Sequence, residues 1–100
     1  MMLLRELAHS RTGDKGSLIN ISLIAYEDEN YEMLVDRVTV DRVSELFRDH
    51  IIRPVDRDLV PGLSALNFVL ERPPSESVTR SLALYAHGKM LGSLLLGMEI

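Results

Sequence analysis

The segment from His9 to Ser17 gathers the residue types best suited to chemistry. Arg11-Thr12-Gly13-Asp14-Lys15-Gly16 holds two cations, one carboxylate and two glycines three positions apart. A phosphate ester or carboxylate is held by fixed positive charge and by backbone amides that converge on it. Glycine permits the positive φ that brings amides together, and Arg11 and Lys15 bring the charge. A plainer reading pairs Asp14 with Arg11 or Lys15 and lets the glycines do no more than turn the chain. The bare residues leave both readings open. Asn20 and Asn67 each stand in the middle of an apolar run, where a buried amide without a partner costs about 1–3 kcal/mol. Each therefore bonds to the other or to backbone, or one of them faces a ligand.

Several chemistries are disfavoured. A mononucleotide loop needs four residues between its first glycine and Gly-Lys-Ser/Thr, then a helix whose amino terminus faces the phosphates. Here Gly13-Asp14-Lys15-Gly16-Ser17 leads into an apolar run with strand periodicity. The paired glycines also resemble the nucleic-acid clamp of KH domains, but that clamp joins two helices. His9, His50 and His87 fall on different elements, with no pair at the i, i+4 spacing of a helical metal site, so no metal and no cofactor are expected. No serine or threonine has the context of an activated nucleophile. As proton-transfer groups His9 and His87 are conceivable, each beside a cationic segment, and Asp14 is a further candidate.

Composition narrows the partners. With 11 Lys and Arg against 15 Asp and Glu, the net charge is −4 and the cations are scattered, which argues against nucleic acid. The absence of cysteine excludes disulfides and thiolate chemistry and suits a reducing cytoplasm. The amino-terminal Met1-Met2-Leu3-Leu4-Arg5-Glu6 reaches charge too early for a signal peptide. The apolar stretch from Met90 to Met98 is about half the ~20 residues that span a bilayer. The 100 residues are expected to make one soluble domain spanning 1–100.

The elements that would position these residues follow from periodicity. Leu3 to Ser10 reads as a strand, with Leu3 and Leu7 on one side and Leu4 and Ala8 on the other. Leu18 to Tyr26 reads as a central strand, with Ile19, Ile21, Leu23 and Ala25 on one face and Leu18, Asn20, Ser22 and Ile24 on the other. The residues between them read as a wide loop. Glu27 to Val38 shows helical spacing with Asn30 as a cap, and a second helix runs from a Thr39 cap to His50. Val55 to Val60, between Pro54 and Pro61, reads as an edge strand. Ala65 to Glu71 reads as a central strand, 76–86 fits strand or helix, and 87–97 fits a helix. The order ββααββα predicts an α+β two-layer sandwich: an antiparallel-rich sheet with helices on one face. Asn20, Ser22 and Asn67 would face away from the helices, on a side covered by another subunit, or would line a cavity.

Three stretches taken together, RTGDKGSLINISL, VPGLSALNFVL and HGKMLGSLLLGMEI, resemble the small domain of the acyclic terpene utilisation proteins, the AtuA-like family. The resemblance runs through nearly the whole chain in the same order and implies a ferredoxin-like fold. Its signature falls on Arg11, Gly13, Asp14, Lys15, Gly16, Asn20, Pro61, Leu66, Asn67, Phe68, Gly88 and Lys89. The chain departs from the family pattern at Ser17, commonly acidic or amide, at Tyr85, commonly aspartate, and at His87, commonly glutamine. The resemblance implies a small subunit, non-catalytic alone or part of an acyl-CoA lyase-type complex, that partners a large AtuA-like protein in the breakdown of acyclic terpene or branched acyl-CoA and carboxylic acids, with the Arg11–Gly16 loop facing an anionic ligand or the partner. Two other readings stand beside it. One is a homo-oligomeric lyase- or hydratase-type enzyme in which Asp14 or His87 moves a proton and Lys15 holds an acyl-CoA anion. The other is a purely structural oligomerisation domain.

Overall fold

The structure is a computed structural model in which residues 2–73 and 91–100 are described. Its strands are β1 (Ala8–Lys15), β2 (Leu18–Ala25), β3 (Asp56–Val60) and β4 (Ala65–Glu71). They form one antiparallel sheet in the order β1-β2-β4-β3. Helices α1 (Tyr31–Arg37) and α2 (Val40–Leu46) separate the two hairpins in sequence, and residues 91–96 are helical. This is the expected α+β architecture. The 76–86 stretch lies outside the described residues, as does the start of the helix expected over 87–97.

Period-two burial explains why the central strands form where they do. Ile19, Ile21 and Leu23 of β2 and Leu66, Phe68 and Leu70 of β4 are all buried on one face. Against them pack Leu34 and Val38 at α1, Val43 and Phe47 at α2, and Leu91 and Leu95. Each such side chain contributes about 1.5–3 kcal/mol by leaving water. Thr39 caps α2 as expected, its Oγ1 accepting from the Arg42 amide at 3.2 Å. Asn30 makes no side-chain cap. A 3-10 turn, Asp28–Asn30, runs straight into α1, so Asn30 already has helical backbone angles and its amide donates to Glu27 O at 3.0 Å.

The edge strand β3 is tied to the helix layer through Arg57. Its Nη1 donates to Val35 O at 2.8 Å and Val38 O at 2.9 Å, where a cation meets the unsatisfied carbonyls at the end of α1.

The amino-terminal expectation requires correction. Leu3 to Ser10 is not a strand: Leu4–Glu6 is a 3-10 turn, and β1 begins at Ala8. Long-range bonds decide this, since the Leu4 amide donates to Met98 O at 2.8 Å and the Ile100 amide to Met2 O at 3.0 Å. The wide loop is also absent. Strand β1 continues through Arg11 to Lys15, pairing residue by residue with β2 until Lys15 meets Leu18. Only Gly16 and Ser17 turn the chain, and Gly16 takes the φ of +60° that a two-residue hairpin requires.

Candidate functional site

Continuation of β1 sorts the polar segment by parity. Arg11, Gly13 and Lys15 pair with Ser22, Asn20 and Leu18 on the face away from the helices, whereas Thr12 and Asp14 pair with Ile21 and Ile19 on the helix face. Of the two readings of this segment, a wide loop of converging amides is not the backbone observed, because Gly13 pairs with Asn20 in the ladder.

On the helix face, Asp14 meets a residue that sequence reasoning missed. The Arg72 side chain, 11 % exposed, lies with Nη1 at 3.9 Å from Asp14 Oδ1. Arg72 Nη2 also donates to Gly16 O, and its amide donates to Ser17 O at 3.0 Å. The β1–β2 turn is thereby fastened to the end of β4. Asp14 Oδ1 is buried and accepts no hydrogen bond among the described residues. Arg72 keeps the parity of Phe68 and Leu70, so an arginine in a core-facing register was the available signal. Further along β1, Ser10 and Thr12 lie beneath Gly92. A Cβ there would stand 2.9 Å from Thr12 Oγ1 and 3.2 Å from Ser10 Oγ.

On the open face, strand pairing builds the row Arg11–Ser22–Asn67–Asp58 across all four strands. Ser22 Oγ donates to Asn67 Oδ1 at 3.0 Å, and Asn67 Nδ2 donates to Asn20 Oδ1 at 3.0 Å. The two asparagines therefore bond to each other, one of the outcomes expected of them. The next row, Gly13–Asn20–Val69–Asp56, leaves open space over Gly13 between the flanking side chains of Arg11 and Lys15. Neither Arg11 nor Asp58 has an ion-pair partner among the described residues. Arg53 does have partners: its Nε bonds Glu71 at 2.8 Å and its Nη1 bonds Asp56 at 2.9 Å. These bonds, the one to Glu71 foremost, raise its pKa above the ordinary arginine value.

An open cleft of about 560 Å³ is lined by Asp28, Glu29, Tyr31, Glu32, Pro61, Gly62 and Ser64. Three carboxylates make it unsuitable for an anionic ligand. Ser64, in the left-handed region at φ 51°, donates to Asp28 Oδ1 at 2.6 Å.

His9 stacks on Tyr26 at 5.2 Å between ring centroids. His87, Gly88 and Lys89 lie outside the described residues, so the chemistry assigned to them stays an expectation. Among the described residues no three His, Cys, Asp or Glu side chains gather in metal-binding geometry. Among them, too, no helix is long and apolar enough to cross a membrane.

A family model described as the AtuA ferredoxin-like domain matches residues 2–100. No curated protein and no solved structure gives a significant match.

Proposed function

The chain belongs to the family of AtuA ferredoxin-like domains, and on that premise we propose that it is a non-catalytic accessory domain. It acts in the cytoplasm as a small subunit beside a large AtuA-like protein, in the breakdown of acyclic terpene or branched acyl-CoA and carboxylic acids. It assembles with copies of itself as well.

The observation that carries this reading is the dispersal of the polar residues. Asp14 lies on the helix face beside Arg72, while Lys15 and Asn20 are on the opposite face. A general base has to sit about 2.6–3.2 Å from the heavy atom whose proton it takes, or reach it through one water, in the same pocket as the cation that steadies the substrate. Two faces of one sheet do not provide that pocket. What Arg11 and Lys15 provide, on either side of the space over Gly13, is a recognition surface for a carboxylate or phosphate belonging to a ligand or to another chain.

Affinity purification of the tagged chain from its own cells tests the partnership. A large AtuA-like protein is expected to co-elute in a fixed ratio. Its absence from the eluate, with the chain itself folded and recovered, would refute the partnership.

A further inference from the structure

The open face of the sheet is self-complementary in charge, and we infer that its occupant is the same face of a second copy of this chain. The inference rests on the accessory-domain reading above and names the carboxylate that the Arg11–Lys15 surface receives.

The pattern across the strands carries it. On this face β1 presents His9, Arg11 and Lys15, while β3 presents Asp56 and Asp58. Between them β2 and β4 present Leu18, Asn20, Ser22 and Ile24 beside Ala65, Asn67, Val69 and Glu71, a band whose one charge, the Glu71 carboxylate, is already bonded by Arg53 at 2.8 Å. The Ser22–Asn67–Asn20 hydrogen bonds tie the polar members of that band to one another. The face is thus basic along one edge and apolar or internally bonded in the middle; on the other edge Arg53 already pairs with Asp56, and Asp58 is the carboxylate without an ion-pair partner among the described residues.

Two sheets packing face to face keep their strands within about 30° of each other. Two in-plane twofold axes satisfy this. An axis across the strands lays β1 on the partner copy's β1, cation on cation, and is rejected by its charge. An axis along the strands, between β2 and β4, lays β1 on the partner copy's β3. The row Arg11–Ser22–Asn67–Asp58 then meets its own reverse, with each Arg11 against an Asp58 and each Ser22 against an Asn67. Such an isologous arrangement forms the Arg11–Asp58 contact twice. Strands of eight, eight, five and seven residues, at about 3.3 Å per residue and about 4.8 Å between strands, offer a face of about 440 Å². Before side-chain relief is counted, that area per copy lies toward the small end of specific interfaces, so the dimer is reversible.

Charge exchange tests the inference in the full-length chain. Sedimentation equilibrium is run on the wild type, on Arg11→Asp, on Asp58→Arg and on the double variant carrying both, with circular dichroism melts as the control for folding. The wild type is expected to dimerise, more weakly at high salt. Each single variant is expected to raise the dissociation constant about 100-fold by setting like charges together. The double variant restores it to within a few-fold, because the exchanged charges again oppose. Arg11→Gln and Asp58→Asn, which remove charge without inverting it, give intermediate losses and cover the case in which an inverted variant folds poorly. A monomeric wild type, single variants that dimerise like the wild type, or a double variant with no recovery would each overturn the inference.

The same proteins, tagged, are assayed for capture of the large AtuA-like protein and for acetyl-CoA binding. If the wild type is monomeric and Arg11→Asp loses only one of those two, the face belongs to that occupant. A monomer that still captures the large protein defeats the dimer and leaves the accessory reading standing. A dimer that captures nothing does the reverse.

Discussion

Asp14 and Lys15, neighbours in the chain, point to opposite sides of the sheet: Asp14 lies 3.9 Å from Arg72 on the helix face, and Lys15 pairs with Leu18 on the open one. One residue of parity therefore divides a segment that would otherwise look like a single cationic site. It also separates the structural role of Asp14 from the recognition role proposed for Lys15, and the two answer differently to substitution.

Lys15→Ala is expected to leave stability within about 0.5 kcal/mol of the wild type, as for most exposed surface changes. Arg72→Leu removes the donor to Gly16 O and leaves the Asp14 carboxylate buried without its cation. A loss of about 2–3 kcal/mol is expected, since removing one partner of a buried pair leaves the other charge uncompensated. Adding Asp14→Leu to Arg72→Leu should recover part of that loss, and urea unfolding of the wild type, Asp14→Leu, Arg72→Leu and the double variant measures the coupling.

Gly92 marks a close approach between the helical segment 91–96 and β1. Gly92→Ala sets a Cβ 2.9 Å from Thr12 Oγ1, and a cost of about 1–3 kcal/mol is expected from overpacking. Thr12→Ala removes the opposing hydroxyl, so the double variant should be more stable than Gly92→Ala alone. A purely additive result in thermal melts would mean that the contact is not made.

Ser64 combines a strained backbone with a useful bond. Ser64→Ala keeps the left-handed conformation and loses the 2.6 Å bond to Asp28, which should cost about 1–2 kcal/mol. Ser64→Gly loses the same bond but relieves the backbone, and should fall by less, the difference being about 1 kcal/mol. Equal losses in denaturant unfolding would contradict that division.

The parts of this fold that local pattern decides were legible in the sequence. Ala65 to Glu71 alternates cleanly and forms β4 over that span. Thr39 caps α2, and Asn20, Ser22 and Asn67 lie together on the face away from the helices. The amino-terminal region was not legible, because distant residues shape it. Leu3 and Leu4 look like strand but bond to the 98–100 region, and the polar run from His9 to Lys15 looks like loop but is held by a full ladder with β2. Once β1 is known to reach Lys15, the separation of Asp14 from Lys15 follows from the two-residue period alone. Arg72 was missed because its partners, Gly16, Ser17 and Asp14, stand more than fifty residues earlier. Asp58 reads as one charge in an alternating edge strand until pairing places it at the far end of the row from Arg11.

The most direct measurement of the accessory role is turnover of a branched acyl-CoA by three samples: this chain alone, the large AtuA-like protein alone, and the two mixed, with thioester and product separated by chromatography. The chain alone should give no product above the buffer rate, and the mixture should differ in rate from the large protein alone. Turnover by the chain alone that disappears in Asp14→Asn, with the fold intact by circular dichroism, would contradict the role proposed for it.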